Sequence, residues 1–125
     1  MSSLNYWEKE DFRKSFKVQL EWTLVRNKID GKLYAMKSLR KATRFELTHG
    51  MDSATVASKC KQIETEKKIL KIIGNHPFLV RCHEEPFESK NYIHFVLDFC
   101  PGGELFFHLS KKGRFQEPVA KFYLI

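Results

Sequence analysis

The stretch GKLYAMKSLRK, Gly31 to Lys41, determines the architecture because its side chains alternate in character with period two. Successive side chains of a strand point to opposite faces of a sheet. A strand here therefore places Lys37 in an apolar row. The other members of that row are Leu33, Ala35 and Leu39. Burying an unpaired ammonium is costly, so Lys37 needs an acidic partner from another part of the chain.

The residues before this strand predict its hairpin partner. Trp22 to Ile29 suits a strand, and Asp30-Gly31 is typical of a two-residue hairpin turn, because glycine accepts a positive φ. We therefore predict a hairpin over Trp22–Leu39. A further strand is predicted at Phe16–Leu20. The polar residues 1–10 are predicted to be a disordered N-terminal segment.

A helix is predicted from about Thr55 to Ile73. Four of its residues fall on one stripe of the helix surface: Ile63, Glu66, Leu70 and Ile73. Glu66 thus lies in an apolar face, as Lys37 does. Packing this face on the sheet brings the two charges together and neutralises them. In the alternative, Lys37 extends to the surface and Glu66 lies at the edge of the stripe.

The rest of the chain predicts a second hairpin and two short helices. Gly74 and Pro77 end the long helix. FLVRCHEEPF and NYIHFVLDF favour two strands joined across ESKN, and the break PGG precedes a helix at Glu104–Ser110. A last helix begins near Glu117 and runs uncapped to Ile125, which suggests a larger domain. The predicted fold class is α+β, a small antiparallel sheet with one major helix packed on it.

Composition narrows the possible partners of this 125-residue chain. Its net charge of +7 suggests an anionic partner. The basic residues are spread along the chain in short groups, however, so we expect solvated basic faces and no direct nucleic-acid binding. No apolar run is long enough for a membrane span, and the N-terminus lacks a secretory signal. The expected location is cytoplasmic or nuclear.

The cysteines predict neither disulfides nor a metal site. Cys60, Cys82 and Cys100 are odd in number and widely spaced, without a C-x-x-C pair. They are typical of reduced thiols in an intracellular protein. Cys82 stands beside His83, but no second pair exists to complete a zinc site, so we expect no metal ligands among these residues.

Several motifs in order resemble those of protein kinases. YAMK, ending at Lys37, resembles the lysine strand, and ETEKKILKIIGNHPFLV resembles the third helix with its glutamate. FVLDFCPGGELFFHL resembles the hinge of the AGC group, especially the branch containing protein kinase B, and GRFQEPVAKFYLI resembles the helix that opens the large lobe. The match runs from Trp22 to Ile125. It implies a kinase small lobe with its αC helix and the first helices of the large lobe, with residues 11–125 forming an incomplete kinase domain.

The resemblance implies a nucleotide site. In the family the strand lysine holds the α- and β-phosphates of ATP and the helix glutamate orients it, roles that fall on Lys37 and Glu66. Ala35 matches the small residue against adenine, and Leu97 matches the gatekeeper. The remaining implied site residues are Asp98 to Cys100 in the hinge, Val80 and Cys100 against the ring, and Glu104 near the ribose or a basic substrate side chain. Glu104 equally suits a first-turn carboxylate that the helix dipole favours.

AGC kinases also dock an aromatic tail motif in a groove beside the third helix. Lys41 and Ile93 match positions that line this groove. The resemblance therefore implies a protein substrate or a docking partner with an aromatic tail. In the alternative, which we favour, Lys41 is an ordinary surface lysine and Ile93 an ordinary core residue.

The sequence departs from the family pattern at two places. The Gly-rich loop should lie between Val18 and Leu24, but VQLEWTL has no glycine, and Trp22 replaces a small residue that covers adenine. The catalytic aspartate, the metal-binding asparagine and the Asp-Phe-Gly motif have no match in these residues. The family transfers phosphate from ATP to protein serine or threonine with Mg. We expect this chain to be catalytically incompetent alone, with weak or absent ATP binding. A non-catalytic module that docks partners is the alternative.

Overall fold

The chain forms an antiparallel sheet followed by helices, in a computed structural model that describes residues 6–14, 20–42, 48, 50 and 52–124. Within these residues the elements are β1 (Trp7–Lys14), β2 (Leu20–Asn27), β3 (Leu33–Arg40), α1 (Ser53–Ile73), β4 (Phe87–Glu88), β5 (Tyr92–Asp98), α2 (Leu105–Lys112) and α3 (Glu117–Leu124). The strand order is β1-β2-β3-β5-β4, and every neighbouring pair is antiparallel. The predicted α+β class is confirmed.

The β2–β3 hairpin is confirmed, but its turn is longer than predicted. The backbone N–H of Asn27 donates to Lys32 O at 2.9 Å, which leaves four residues in the loop rather than two. The Asn27 side chain accepts hydrogen bonds from the N–H groups of Ile29 and Asp30 and so builds the turn locally. Gly31 closes the loop with a φ of 70°. Gly31 therefore correctly predicted a turn, whereas the contribution of the Asn27 side chain to that turn was not predicted.

The sheet is apolar on both faces, and each face has its own core. One core contains Trp7, Val25, Met36 and Val96, with Tyr34 and Phe87 packed against it. The other contains Leu39, Ile93, Phe95 and Leu97, with Leu20, Ile63, Leu70 and Cys82 packed against it. Lys37 is paired with Phe95 across the β3–β5 ladder, so the lysine belongs to the second face. This face is also the one that α1 covers.

Strand β1 corrects one prediction about the N-terminal part. Residues 7–10, predicted as disordered, belong to β1, and the side chain of Trp7 is buried in the first core. The Trp7 ring packs edge-on against Tyr34, with centroids 5.3 Å apart. Burying so large an apolar side chain outweighs the polarity of its neighbours. Of the strand predicted at Phe16–Leu20, Leu20 begins β2, and residues 15–19 lie outside the described residues.

Helix α1 begins and ends where capping chemistry dictates. Asp52 is the N-cap, and its carboxylate accepts a hydrogen bond from the backbone N–H of Thr55 at 2.9 Å. Hydrogen bonds from Thr55 hold the pKa of this carboxyl below its usual value. Gly74 follows the last turn with a φ of 56°, as predicted. The packing of Ile63 and Leu70 against the second core confirms the predicted apolar stripe.

The second hairpin is shorter than predicted. Only Phe87–Glu88 forms β4, although Cys82 makes an isolated bridge to Leu97 and the backbone of His83 donates to Val96 O. Pro86 interrupts the pairing because proline has no backbone N–H to contribute to the ladder. The strand predicted over FLVRCHEEPF is therefore wrong for most of its length.

Helices α2 and α3 present large apolar side chains to solvent. Leu105, Phe106, Phe107, Phe122, Tyr123 and Leu124 are all exposed. Such a concentration of aromatic surface favours association with another surface or with itself. Within the described part of the chain, no helix has both the length and the apolar character needed to cross a membrane.

Candidate functional site

The predicted contact between Lys37 and Glu66 is confirmed. Lys37 Nζ donates to Glu66 Oε1 at 2.5 Å, which makes a charge-assisted hydrogen bond between β3 and α1. The side chains of Lys37 and Glu66 are 16 % and 27 % exposed. Each charge therefore compensates the other where little water is available. The lysine in the apolar row does not extend to the surface.

Two regular elements fix this contact. Lys37 lies in the middle of β3, between Trp22 on β2 and Phe95 on β5. Glu66 lies one helical turn from both Ile63 and Leu70, which pack on the second core. Strand register and helix periodicity thus aim the two side chains at each other. The contact between Lys37 and Glu66 therefore depends on how α1 packs against the sheet.

Trp22 covers the outer side of this pair. Lys37 Nζ lies 5.7 Å from the centroid of the Trp22 ring, within the range of a cation–π contact. The register pairs Trp22 with Lys37 and Leu24 with Ala35, so the indole lies on the same face as Ala35. The ring is 39 % exposed. A bulky group therefore occupies the solvent side of the row where the family places nucleotide.

The predicted adenine-site residues are only partly brought together. Ala35 and Leu97 are opposite each other in the β3–β5 ladder, on the face that carries Lys37. Leu97 is buried, whereas Val80 and Cys100 are exposed. Glu104 is also exposed, at the N-cap of α2, and its side chain makes no capping hydrogen bond. Ala35 and Leu97 therefore lie next to each other on the sheet, whereas Val80, Cys100 and Glu104 are exposed to solvent.

The side chain of Asp98 lies on the other face of the sheet. Its carboxylate is in hydrogen-bonding contact with His83 Nε2 and accepts a hydrogen bond from the backbone N–H of Arg81 at 2.9 Å. The Tyr34 ring packs edge-on against His83, with centroids 4.7 Å apart. Burial alone would raise the pKa of Asp98, but the contacts with Arg81 and His83 outweigh burial and lower the pKa. These contacts tie the chain before β4 to the predicted hinge.

This lowered pKa gives Asp98 a pH-dependent contribution to stability. Because the pKa of the folded state is below the unfolded value of about 3.9, the contribution is complete above that pH and disappears as pH falls through the folded pKa. We expect Asp98→Asn to lower the free energy of unfolding in urea near pH 6 and to have a smaller effect near pH 3. The exposed carboxylate of Glu85 supplies the control Glu85→Gln, whose effect should be small at both pH values. An Asp98→Asn effect that stays constant down to pH 3 would contradict this assignment.

The two groove positions behave as structural residues. Ile93 is fully buried in the second core. Lys41 Nζ forms an ion pair with Glu88 Oε2 at 3.1 Å, and Glu88 also lies 3.9 Å from Lys67 Nζ. Hydrogen bonding to Lys41 is the main cause of the lowered pKa of Glu88. The favoured alternative, a surface lysine and a core isoleucine, describes both residues.

One buried charge escaped the sequence analysis. Lys59 on α1 is only 8 % exposed. It lies four residues before Ile63 and seven before Glu66, so it continues the same stripe towards the helix N-terminus. Extending that stripe by one turn would have found it.

The residues fit ATP only in part. Lys37, Glu66 and Ala35 suit a nucleotide, but the Trp22 indole covers the row that adenine and phosphates would share. The stretch VQLEWTL, where the family has its Gly-rich loop, contains no glycine; its residues Leu20 to Leu24 belong to β2, and residues 18–19 lie outside the described residues. The arrangement therefore does not fit tightly bound ATP. In the described part of the chain, no group of three or more histidine, cysteine or acidic side chains could hold a metal ion.

The sheet order, the packed helix and the lysine–glutamate pair together define a protein-kinase small lobe. The protein kinase domain family matches residues 21–125, so the chain belongs to the protein kinase family. The family uses ATP and Mg and acts on protein substrates.

Individual relatives narrow the class to serine/threonine kinases of the AGC group. The chain is 41 % identical over 99 residues to Protein kinase 2 of Dictyostelium discoideum, covering 79 % of this chain and 18 % of that protein. It is 42 % identical over 104 residues to Protein kinase 3 of the same organism, covering 81 % of this chain and 10 % of the relative. Serine/threonine-protein kinase Sgk3 of Rattus norvegicus is 40 % identical over 100 residues, or 80 % of this chain and 18 % of that protein. The chain thus spans less than a quarter of the length of these relatives.

Proposed function

We propose that these residues form the nucleotide-binding side of an AGC serine/threonine protein kinase, the family activity being phosphoryl transfer from ATP to protein. The observation that carries the proposal is the 2.5 Å contact between Lys37 and Glu66 in an otherwise apolar interface. A buried ion pair adds little to stability compared with apolar residues of the same size. Its presence therefore suits a charge needed for function. In this role Lys37 would face the phosphates of ATP, and Glu66 would hold the ammonium in place.

The polypeptide of residues 1–125 is proposed to be catalytically incompetent by itself. Phosphoryl transfer depends on a metal-bound charge clamp and on a positioned nucleophile, and these residues have no match to the motifs that supply them. Trp22 further obstructs the nucleotide. We therefore assign nucleotide recognition, weakened by Trp22, to this chain and assign no chemical step to it.

Partners and location follow from the same family role. We propose a protein substrate and a cytoplasmic or nuclear location, which the free thiols of Cys60, Cys82 and Cys100 support. The alternative is a non-catalytic module that docks a partner with an aromatic tail. It has less support, because Ile93 is buried and Lys41 already has a carboxylate partner.

Nucleotide binding tests the proposal. We expect about 1 mM ATP to raise the melting temperature of the wild-type chain by less than about 1 °C, with or without Mg. Trp22→Val removes the indole and restores a small β-branched side chain. This variant should show a larger ATP-dependent shift, of a few degrees, because the row beside Lys37 becomes accessible. Adding Lys37→Ala to Trp22→Val should abolish the gain.

Tyr6→Val is the matched control, since Tyr6 is an aromatic residue of similar exposure. It should leave the response to ATP at the wild-type level. A shift of several degrees in the wild-type chain that Lys37→Ala removes would contradict the obstruction by Trp22. No gain in Trp22→Val, with the fold intact, would contradict the nucleotide site itself.

A further inference from the structure

The segment between α1 and β4 is fastened to the end of β5 by two contacts to a single carboxylate. Asp98 Oδ2 accepts a hydrogen bond from the backbone N–H of Arg81 at 2.9 Å, and Asp98 Oδ1 contacts Nε2 of His83. The N–H of Asp98 also donates to Arg81 O at 3.1 Å, and the N–H of His83 donates to Val96 O on β5 at 2.9 Å. The last residue of β5 is therefore held through both its backbone and its side chain.

The imidazole of His83 is fixed from its other side by Tyr34. Tyr34 pairs with Asp98 in the β3–β5 register, and its ring packs edge-on against the ring of His83. The Tyr34 hydroxyl donates to the carboxylate of Asp30 at 2.7 Å, which anchors this ring at the β2–β3 turn. Asp98 is ionised near neutral pH, so its oxygens only accept, and Nε2 of His83 carries the hydrogen of their contact. Asp98 and Tyr34 together hold the imidazole in one orientation.

These contacts act at the point where the chain leaves the sheet towards α2. Asp98 is the last residue of β5, and residues 99–103 belong to neither a strand nor a helix. Phe99 and Cys100 are exposed. The side chain of Asp98 lies on the face opposite Lys37, so it does not enter the predicted nucleotide site. Its contacts instead fix the direction of the backbone that borders that site.

We propose that His83 is a positioning residue for the recognition of adenine. This inference rests on the proposed function, with the backbone of Asp98 to Cys100 forming hydrogen bonds to the edge of the base. His83 acts through the carboxylate of Asp98 and does not touch the nucleotide. Polar groups that are already fixed bind a ligand more tightly than mobile ones, because less conformational freedom is lost on binding. The role concerns the base alone, since Lys37 would hold the phosphates from the other face.

Comparing ATP with inorganic triphosphate tests this role, because both carry three phosphates and only ATP carries a base. The background is Trp22→Val, which the proposed function expects to bind ATP. Adding His83→Leu removes the donor but keeps an apolar group against Tyr34. Thermal-shift titration should show ATP binding weakened about tenfold, through poorer hydrogen bonds to the base, and unchanged binding of triphosphate. His83→Gln keeps an N–H donor at the end of the side chain and should restore most of the ATP affinity.

Hydrogen exchange measures the positioning without a nucleotide. We expect the N–H of Asp98, which is bonded to Arg81 O, to exchange faster in His83→Leu than in the wild-type chain. Amides in the middle of β5 should keep their exchange rates, because the ladder with β3 is unaltered. The control is His76→Leu, at an exposed histidine between α1 and β4, which should change neither the exchange of Asp98 nor nucleotide binding.

The role of His83 and the proposed function fail in different ways. No ATP response in Trp22→Val, with the fold intact, overturns the nucleotide site and the role of His83 with it. An ATP response that His83→Leu leaves unchanged overturns the role of His83 alone. Equal losses for ATP and triphosphate also overturn it, because they indicate a general effect on the fold. An unchanged exchange rate at Asp98 overturns it as well, because the effect would not pass through that residue.

Discussion

Replacing Phe95 by alanine is expected to destabilise this protein more than any other single change proposed here. Phe95 is 0 % exposed and lies at the centre of the core between the sheet and α1. Truncating a buried phenylalanine removes its transfer free energy and leaves a cavity, which together cost roughly 3–5 kcal/mol. A domain typically has only about 5–15 kcal/mol in total. The variant should therefore be largely unfolded, or melt some 10–20 °C lower.

Urea unfolding followed by circular dichroism measures this effect. Phe106→Ala is the control, because Phe106 is 74 % exposed on α2 and its removal deletes the same atoms from solvent contact. That variant should have nearly wild-type stability and should be more soluble. Equal losses for Phe95→Ala and Phe106→Ala would contradict the assignment of Phe95 to the core.

The sequence was sufficient to predict the structure wherever the local residue pattern and the requirements of tertiary packing agreed. The period-two row at Lys37 and the helical stripe at Glu66 each contain one charge in an apolar face. Two charges of opposite sign in apolar faces can compensate each other, and the 2.5 Å contact between Lys37 and Glu66 shows that they do. The helix limits were also predictable, because Asp52 and Gly74 act through capping geometry that involves only nearby backbone.

Prediction failed where long-range packing overrides local composition. The polar run around Trp7 gives no strand signal of its own, and the strand exists because β2 offers a partner and the tryptophan finds a core. The four-residue loop after Asn27 depends on a side chain that hydrogen-bonds two backbone groups, which a search for two-residue turns does not consider. Pro86 was visible in the sequence, but its effect on β4 required knowing where the ladder runs.

In the candidate site, too, some features could be predicted from the sequence and others could not. The two-residue turn predicted at Asp30-Gly31 would have paired Leu24 with Lys37, so the pairing of Trp22 with Lys37 could not be predicted without the four-residue loop. The contact of Asp98 with His83 could not be predicted either, because the two residues come from irregular chain and a strand end whose relative position no periodicity fixes. Lys59 lies between these cases, because the helical stripe predicts its position but only the packed structure shows that it is buried.

The second large effect concerns the ion pair itself. Lys37→Met and Glu66→Gln are each expected to lower the free energy of unfolding by about 1–3 kcal/mol, because each leaves the other charge poorly solvated. The cost falls below that of a fully buried pair, since both side chains keep some contact with water. The double variant contains no unpaired charge. It should therefore lose less than the sum of the single variants, with a coupling energy of about 1 kcal/mol or more.

A matched cycle on Lys121 and Glu117 isolates the effect of burial. This pair has the same chemistry and a similar distance, 2.6 Å, but both side chains are mostly exposed on α3. Exposed pairs of this kind couple weakly, by roughly 0.3–0.5 kcal/mol, because water and salt screen them. Raising the salt concentration should reduce this coupling further while leaving that of Lys37 and Glu66 largely unchanged. If the two cycles give equal coupling with equal salt dependence, the Lys37–Glu66 contact is an ordinary surface pair, and α1 is not held to the sheet by charge compensation.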